Sequence, residues 1–417
     1  MKGAAQDFAR LDAWVDAHFE NQIAFLQALI RLPTDTPPGN NAPHAELVAQ
    51  RLSQLGLAAE QYPVPTDEVR AYGMDSITNV IVRRRYGDGP TIALNAHGDV
   101  VPPGPGWQHP PYGGLVENGA IYGRAAAVSK SDITTFSFAT LALESLAAPL
   151  RGSVELHFTY DEEFGGEKGP QWLLQQGLSR PDLFIAAGFS YQVVTAHNGC
   201  LQLELHIDGE MAHAAIPDSG TDALQAATHI MQALYAYSRE LQALRSKVPG
   251  IGSPYLNIGS IQGGTNTNVV PGQVVLKLDR RMIPEEDPQQ VEADLLQRIE
   301  QARQSFAPVR GGREIDVNIR RLLLCQAMKP LPGNKPLVNA LQTHGLAVFG
   351  EKPVETGSPL YTDARLYTER GIPGVLYGAG PRTLLESHAK RADERLQLED
   401  LRGATKVVAR TLLELLG

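Results

Sequence analysis

The chain reads as an α/β protein: a domain on a mainly parallel sheet, interrupted by an inserted α+β domain of ferredoxin-like order. Three observations predict this. At 417 residues the chain is longer than one ordinary hydrophobic core accommodates. Before residue 199 and after residue 324, β-branched apolar runs alternate with segments whose apolar residues recur every three or four positions. That alternation is the pattern of a parallel sheet covered on both faces by helices. Between those limits the strands alternate apolar and polar residues, as half-exposed strands do. The domains are therefore expected at 1–198 with 325–417, discontinuous and catalytic, and at 199–324, inserted.

The elements follow in order. Residues 8–31 have the spacing of one or two amphipathic helices, and the Pro/Gly/Asn stretch 33–43 is a loop before a helix at 44–55. "NVIVRRR" and "TIALNAHGDV" are strands, "VSKSDITTFSFATLALESLAA" a helix, "SVELHFTYDEE" a strand, "KGPQWLLQQG" a helix and "PDLFIAAGF" a buried strand. "CLQLELHIDGE", a helix at 220–245, "YLNIGSIQGG", "VVLKLDRRM", a helix at 285–305 and "EIDVNIRRLLL" give the order strand–helix–strand–strand–helix–strand of a small α+β sandwich. After "PLPGNKP" a helix, the strand "GVLYGAG" and a closing helix return to the α/β pattern.

Composition narrows the function. A net charge of −9 argues against nucleic acid or an anionic membrane as partner, because both need basic patches. Two cysteines, Cys200 and Cys325, make neither a disulfide framework nor a ligand motif, and a reducing cytoplasm is the expected location. The first 32 residues mix charge with apolar residues and have no unbroken apolar stretch of the signal-peptide kind, and no run reaches transmembrane length.

Five constellations carry polar chemistry. "NAHGDVV" places His97 at a strand's C-terminal end, with Asp99 two residues on and on the same side, where a carboxylate fixes an imidazole's tautomer. "YDEEFGG" sets Glu162 beside Glu163, an arrangement that is costly unless a cation or proton resolves it, hence a candidate base and ligand. "LESHAKRADE" carries His388, "GEMAHAAIPDSGTDAL" carries His213, and "GGTNTNVVPGQVVLKLDRR" carries Asn268 and Arg281, groups suited to a carbonyl and a carboxylate. Singly, each also reads as a turn histidine, an acidic loop tip or a solvated edge residue.

Together, and in order, "AHGDVVPPGPGWQHPPYGGLVENGAIYGR", "DEEFGG", "AHAAIPDSGTDA", "NVVP", "LDRRMIP", "TDAR", "GIPGVLYGAGP" and "SHAKRADERLQLEDL" resemble one family over nearly the whole chain. It is the zinc-dependent amidohydrolase family of aminoacylase, carboxypeptidase G, acetylornithine deacetylase and succinyl-diaminopimelate desuccinylase. The resemblance implies two zinc ions at the C-terminal edge of the sheet, sharing an aspartate and a water. It implies His97 as a ligand steadied by Asp99, Glu162 as general base, and Glu163 and His388 as ligands of the other ion. It further implies His213 at the oxyanion and Asn268 and Arg281 on the substrate. The inserted domain would act as lid and dimerisation domain of a homodimer, and the substrate would be an acylated amino acid or a small peptide-like compound.

The pattern breaks at two ligand positions. Gly123, Arg124 and Lys130 match, but the bridging aspartate's place holds Val128, and Phe189 falls where an acidic ligand usually follows its strand. Zinc ordinarily keeps three protein ligands even at an open site. The expected cofactor is therefore zinc or another divalent metal as one ion per chain, or weakly bound, or none. Asp132, one helical turn beyond Val128, and His197 in "TAHNG" are the candidate replacement ligands. Two functions stay open. One is an amidohydrolase or deacylase whose metal-activated water is deprotonated by Glu162. The other is a metal-free relative that binds an acylated small molecule, or uses Glu162 for non-hydrolytic proton transfer.

Overall fold

A computed structural model describes residues 2–312 and 314–417. It divides into two compact units. The first comprises the N-terminal stretch through Thr195, Pro330–Thr356 and Thr362–Gly417; the second comprises Ala196–Lys329 and Gly357–Tyr361.

The first unit is built on an eight-stranded sheet. Its order is Ala59–Pro63, Thr78–Arg85, Ser153–Thr159, Thr91–His97, Leu183–Ala186, Gly374–Leu376, Gln192–His197 and Val354–Ser358. The four middle strands run parallel, and antiparallel pairings flank them. Thr91–His97 is buried along nearly its whole length, which is why it reads as a continuous apolar run. The helix Lys130–Ser145 packs against Leu398–Leu416, which in turn packs against Lys335–Phe349. Lys130–Ser145 is buried on every side, so its polar residues need internal partners. Thr134, Ser137 and Thr140 supply them by donating their hydroxyls to carbonyls four residues back, at 3.1, 2.7 and 2.9 Å. The core around it includes Leu94, Phe136, Leu156, Phe158 and Ile185, all fully buried. Truncating one such leucine to alanine costs about 2–5 kcal/mol.

At the N-terminus the amphipathic stretch is two helices, Lys2–Ala17 and Phe19–Ile30. The break falls at His18, whose ring stacks on Trp14 with centroids 3.9 Å apart and whose Nδ1 lies 2.8 Å from the Trp14 carbonyl.

The second unit has a four-stranded antiparallel sheet in the order Tyr255–Gly263, Gln273–Met282, Gly199–Asp208, Asp316–Cys325. Leu201, Leu203, Leu205 and Ile207 alternate onto one face and pack with the helices Ala223–Leu241 and Pro288–Ser305. Both helices start at aspartate N-caps: Asp222 accepts from Leu224 and Gln225 N–H, and Asp287 from Gln290 N–H. Gly357–Tyr361 joins this unit through Asn198 N–H, which lies 3.2 and 3.1 Å from the carbonyls of Ser358 and Leu360. So short a segment has no periodicity of its own, and only its backbone pairing shows where it belongs. Among the described residues no helix is long and apolar enough to cross a membrane.

Candidate active site

In the first unit the site starts where Thr91–His97 ends. The chain leaves the sheet through Gly98, which packs so tightly on the Tyr160 ring that a Cβ there would overlap it. Asp99, the next residue, is fully buried. The Asp99 carboxylate accepts hydrogen bonds from Glu162 N–H (3.3 Å) and Glu163 N–H (2.9 Å). Its Oδ1 lies 3.4 Å from His97 Nδ1, which is also 3.0 Å from the Asp99 carbonyl. One buried carboxylate therefore fixes both the imidazole and the acidic turn, and His97 Nε2 faces Glu162 Oε2 at 3.8 Å. The two adjacent acids have different cationic neighbours: His97 faces Glu162, and Lys390 contacts Glu163.

The electrostatics follow from that packing. Burial pushes the Glu162 carboxyl up to about 7, against the pull of His97. Burial alone would lower the His97 imidazole, but Glu162 and Asp99 hold it up at about 10. Behind the turn, burial also raises Asp161, to about 7, and Asp363. Glu163 has a different partner: Lys390 Nζ donates to its Oε2 at 2.6 Å.

His388 lies two residues before Lys390 in the same loop. Its backbone is left-handed (φ 53°), and its Nδ1 sits 3.1 Å from the Ala392 carbonyl. The loop's far end is anchored by Glu394, which pairs with the buried Arg124 (2.6 Å) and accepts from Ala127 N–H (3.1 Å). The structure thus gathers His97, Asp99, Glu162 and Glu163 with the loop of His388. Lys390, Asp161 and Asp363 are members that sequence reasoning missed. All three lie inside quoted motifs, but a lysine in a polar loop reads as solvated, and nothing local marked its partner.

The positions that break the pattern are as donor-poor as they read. Val128 is half-buried between the buried Ala127 and Ser129, and Phe189 pairs its backbone with Gly380. Asp132 points elsewhere: its Oδ1 accepts from Ala379 N–H at 2.7 Å, in a space left by Gly378, where a Cβ would overlap it. Burial pushes that carboxyl up to about 7, although the Ala379 amide favours its charge. His197 belongs to the second unit, with its Nδ1 2.8 Å from the Asn198 carbonyl.

Also in the second unit, His213 is exposed on the two-residue strand Ala212–His213 and accepts at Nδ1 from Ala215 N–H, 3.0 Å. This strand pairs with Val269–Val270, and Ala214 N–H donates to the Asn268 carbonyl (3.0 Å), so His213 and Asn268 are neighbours. Arg281 forks onto Asp279 through Nε (2.6 Å) and Nη2 (3.3 Å) and lies over the Tyr361 ring.

The residues present do not fit a two-ion zinc centre. Val128 and Phe189 offer no donor, and Glu163 is paired with an ammonium. Asp132 bonds to backbone, and among the described residues no three His, Cys, Asp or Glu side chains converge to hold an ion.

Residues 93–414 match the peptidase family M20/M25/M40. A succinyl-diaminopimelate desuccinylase of Hydrogenovibrio crunogenus is 25% identical over 412 residues, covering 94% of this chain and 98% of the relative. An M20 metallo-carboxypeptidase from Sulfolobus solfataricus superposes with a TM-score of 0.76 at 19% identity, over 94% of this chain and 98% of that one. The dipeptidase Dug1p from Saccharomyces cerevisiae does so with a TM-score of 0.80 at 14% identity, over 97% and 98%. The fold is thus shared with these structures, and the chain belongs to the peptidase family M20/M25/M40, as a hydrolase of peptide-like substrates.

Proposed function

We propose that this hydrolase cleaves the amide bond of an N-acyl amino acid or small peptide-like compound, with Glu162 as general base. One observation carries the reading: Glu162 and His97 face each other at 3.8 Å at the C-terminal rim of the sheet, both held from behind by Asp99. That gap is too long for a good hydrogen bond between the two groups, and it leaves their polar atoms directed at the same space. A carboxyl pushed up to about 7 takes and returns a proton efficiently near neutral pH. Water adds to the amide carbon as its proton passes to Glu162. When the tetrahedral adduct collapses, the C–N bond breaks and Glu162 returns the proton to the leaving amine. A carboxylic acid and an amine are the products. The His97 imidazole N–H is a donor for the oxygen that gains charge.

His213 and Asn268 are the second unit's candidates for a substrate carbonyl, and Arg281 for a carboxylate, as a homodimer is for the assembly. The test is Glu162→Gln, assayed on a panel of N-acyl amino acids and dipeptides. A loss of about 10²–10⁴ in kcat with unchanged folding is expected; unaltered turnover would overturn the assignment.

A second reading is favoured by Val128 and Phe189, whose apolar side chains suit a hydrophobic group. The cleft then binds an acylated compound without turnover, or Glu162 moves a proton in a non-hydrolytic reaction. Saturable binding with no released amine would select it.

A further inference from the structure

We propose that the Lys390 ammonium is a counter-cation built into this site, holding Glu163 in the role a metal ion would otherwise have. The inference rests on the reading of this cleft as the active site, but its test does not use catalysis. The contact is short and charge-assisted, 2.6 Å from Lys390 Nζ to Glu163 Oε2, and it runs from a lysine side chain 56% exposed to a glutamate only 8% exposed. The Glu163 backbone is fixed by its N–H bond to Asp99, so the side chain starts from a held position.

The loop that delivers Lys390 is constructed for the purpose. His388, Lys390 and Asp393 all take left-handed backbone conformations (φ 53°, 60° and 55°), which non-glycine residues rarely adopt. Such residues persist where their surroundings over-determine them. Here Asp393 accepts from Gln108 N–H and His109 N–H at 3.0 Å each and faces His109 Nδ1 at 3.1 Å. Next to it, Glu394 is held by Arg124 and by Ala127 N–H. Arg391 N–H closes the turn onto the His388 carbonyl at 2.8 Å. A lysine reaching an acid by chance from a mobile tail would not need these anchors.

The charge balance points the same way. Val128 and Phe189 are uncharged and stand, by the resemblance, where acidic ligands are expected. With fewer anions the cleft requires less positive charge. A single tethered ammonium supplies it, its own desolvation being outweighed by the attraction of Glu163 and Glu162.

Zinc affinity, read by competition with a chromophoric chelator and by metal analysis of the purified chain, tests this. Wild type and Lys390→Arg are expected to bind zinc weakly and equally. Lys390→Met, or Lys390→Gln should the methionine variant fail to fold, is expected to bind it at least tenfold more tightly. Adding Glu163→Gln should abolish that gain. Stoichiometric zinc in the purified wild type, or no gain in either folded Lys390 variant, would overturn the proposal. Deacylation measured in parallel on the same samples would show separately whether the hydrolase reading stands.

Discussion

Asp132→Asn separates two roles that the same carboxylate could have, backbone clasp or replacement metal ligand. In the structure Asp132 is fully buried and accepts from Ala379 N–H at 2.7 Å, with Gly188 N–H as a further donor. Burial raises its carboxyl from 3.8 to about 7. The folded chain therefore binds this proton more tightly than the unfolded one. The stabilisation is fully present below pH 3.8 and is lost as pH rises through about 7. The gap corresponds to roughly 4 kcal/mol. Asparagine keeps the volume and one acceptor but does not titrate, and its amide N–H₂ replaces an acceptor needed by the second backbone donor. At pH 5 the variant should be less stable by about 1–3 kcal/mol, the cost of an unsatisfied buried donor. Between pH 4 and 8 the wild type should lose up to about 4 kcal/mol relative to it. Urea unfolding followed by tryptophan fluorescence measures this directly, since Trp14, Trp107 and Trp172 all lie in the first unit. A stability difference that is flat with pH, accompanied by loss of bound metal, would refute the clasp and restore the ligand.

Three other outcomes follow from the same geometry. Gly98→Ala puts a methyl group into the Tyr160 ring, which is itself held by His44 Nδ1 at 2.9 Å; about 1–3 kcal/mol of stability should be lost in urea titrations. Activity should fall with it, because the same shift displaces Asp99. Burial lowers the Lys130 amine from 10.5 to about 7 while it donates to the carbonyls of Leu29 (3.1 Å) and Leu32 (2.9 Å). The unfolded chain binds this proton more tightly, so wild-type stability should rise relative to Lys130→Met between pH 7 and 10.5, and parallel curves would remove the argument. Asp222→Ala removes an N-cap that serves two amides at 2.9 and 3.1 Å, and it should cost the second unit about 1 kcal/mol.

How much of this was legible in the sequence depends on distance along the chain. His97 and the Glu162–Glu163 pair follow strands whose apolar runs are legible, but singly each motif also read as a loop; the family resemblance joined them, and the parallel pairing of the two strands brings their ends to one rim. The Asp99 clamp was half legible. The two-residue spacing placed it beside His97, but its grip on the Glu162 and Glu163 amides belongs to a turn on another strand. Asp132 was misleading for a clear reason. Helical spacing locates its Cα one turn past Val128, yet its side chain is drawn to an amide 247 residues away, through a gap that only Gly378 leaves open. Lys390 was silent because its partner is 227 residues distant and its loop conformation is set by Asp393 and Glu394, not by local propensity. Sequence pattern reports elements and their ends; it does not report where a long side chain finds its counter-charge.

That distinction yields a coupling test of the charge balance. Val128 is half-buried and precedes Ser129, whose hydroxyl is bonded to the His97 backbone, so Val128→Asp adds a carboxylate on the His97 side without fully burying it. In wild-type background the new anion joins a cleft whose Glu163 is already neutralised by Lys390, and zinc affinity should rise only slightly. With Lys390→Met the same aspartate joins a free Glu163, and both anions then favour the same dication. Metal binding in the double variant should therefore exceed the sum of the single effects by a coupling energy of about 1–3 kcal/mol, within the range for residues sharing one network. Strict additivity would mean that Val128 and Lys390 do not act on a common site, and the two departures from the family pattern would then need separate explanations.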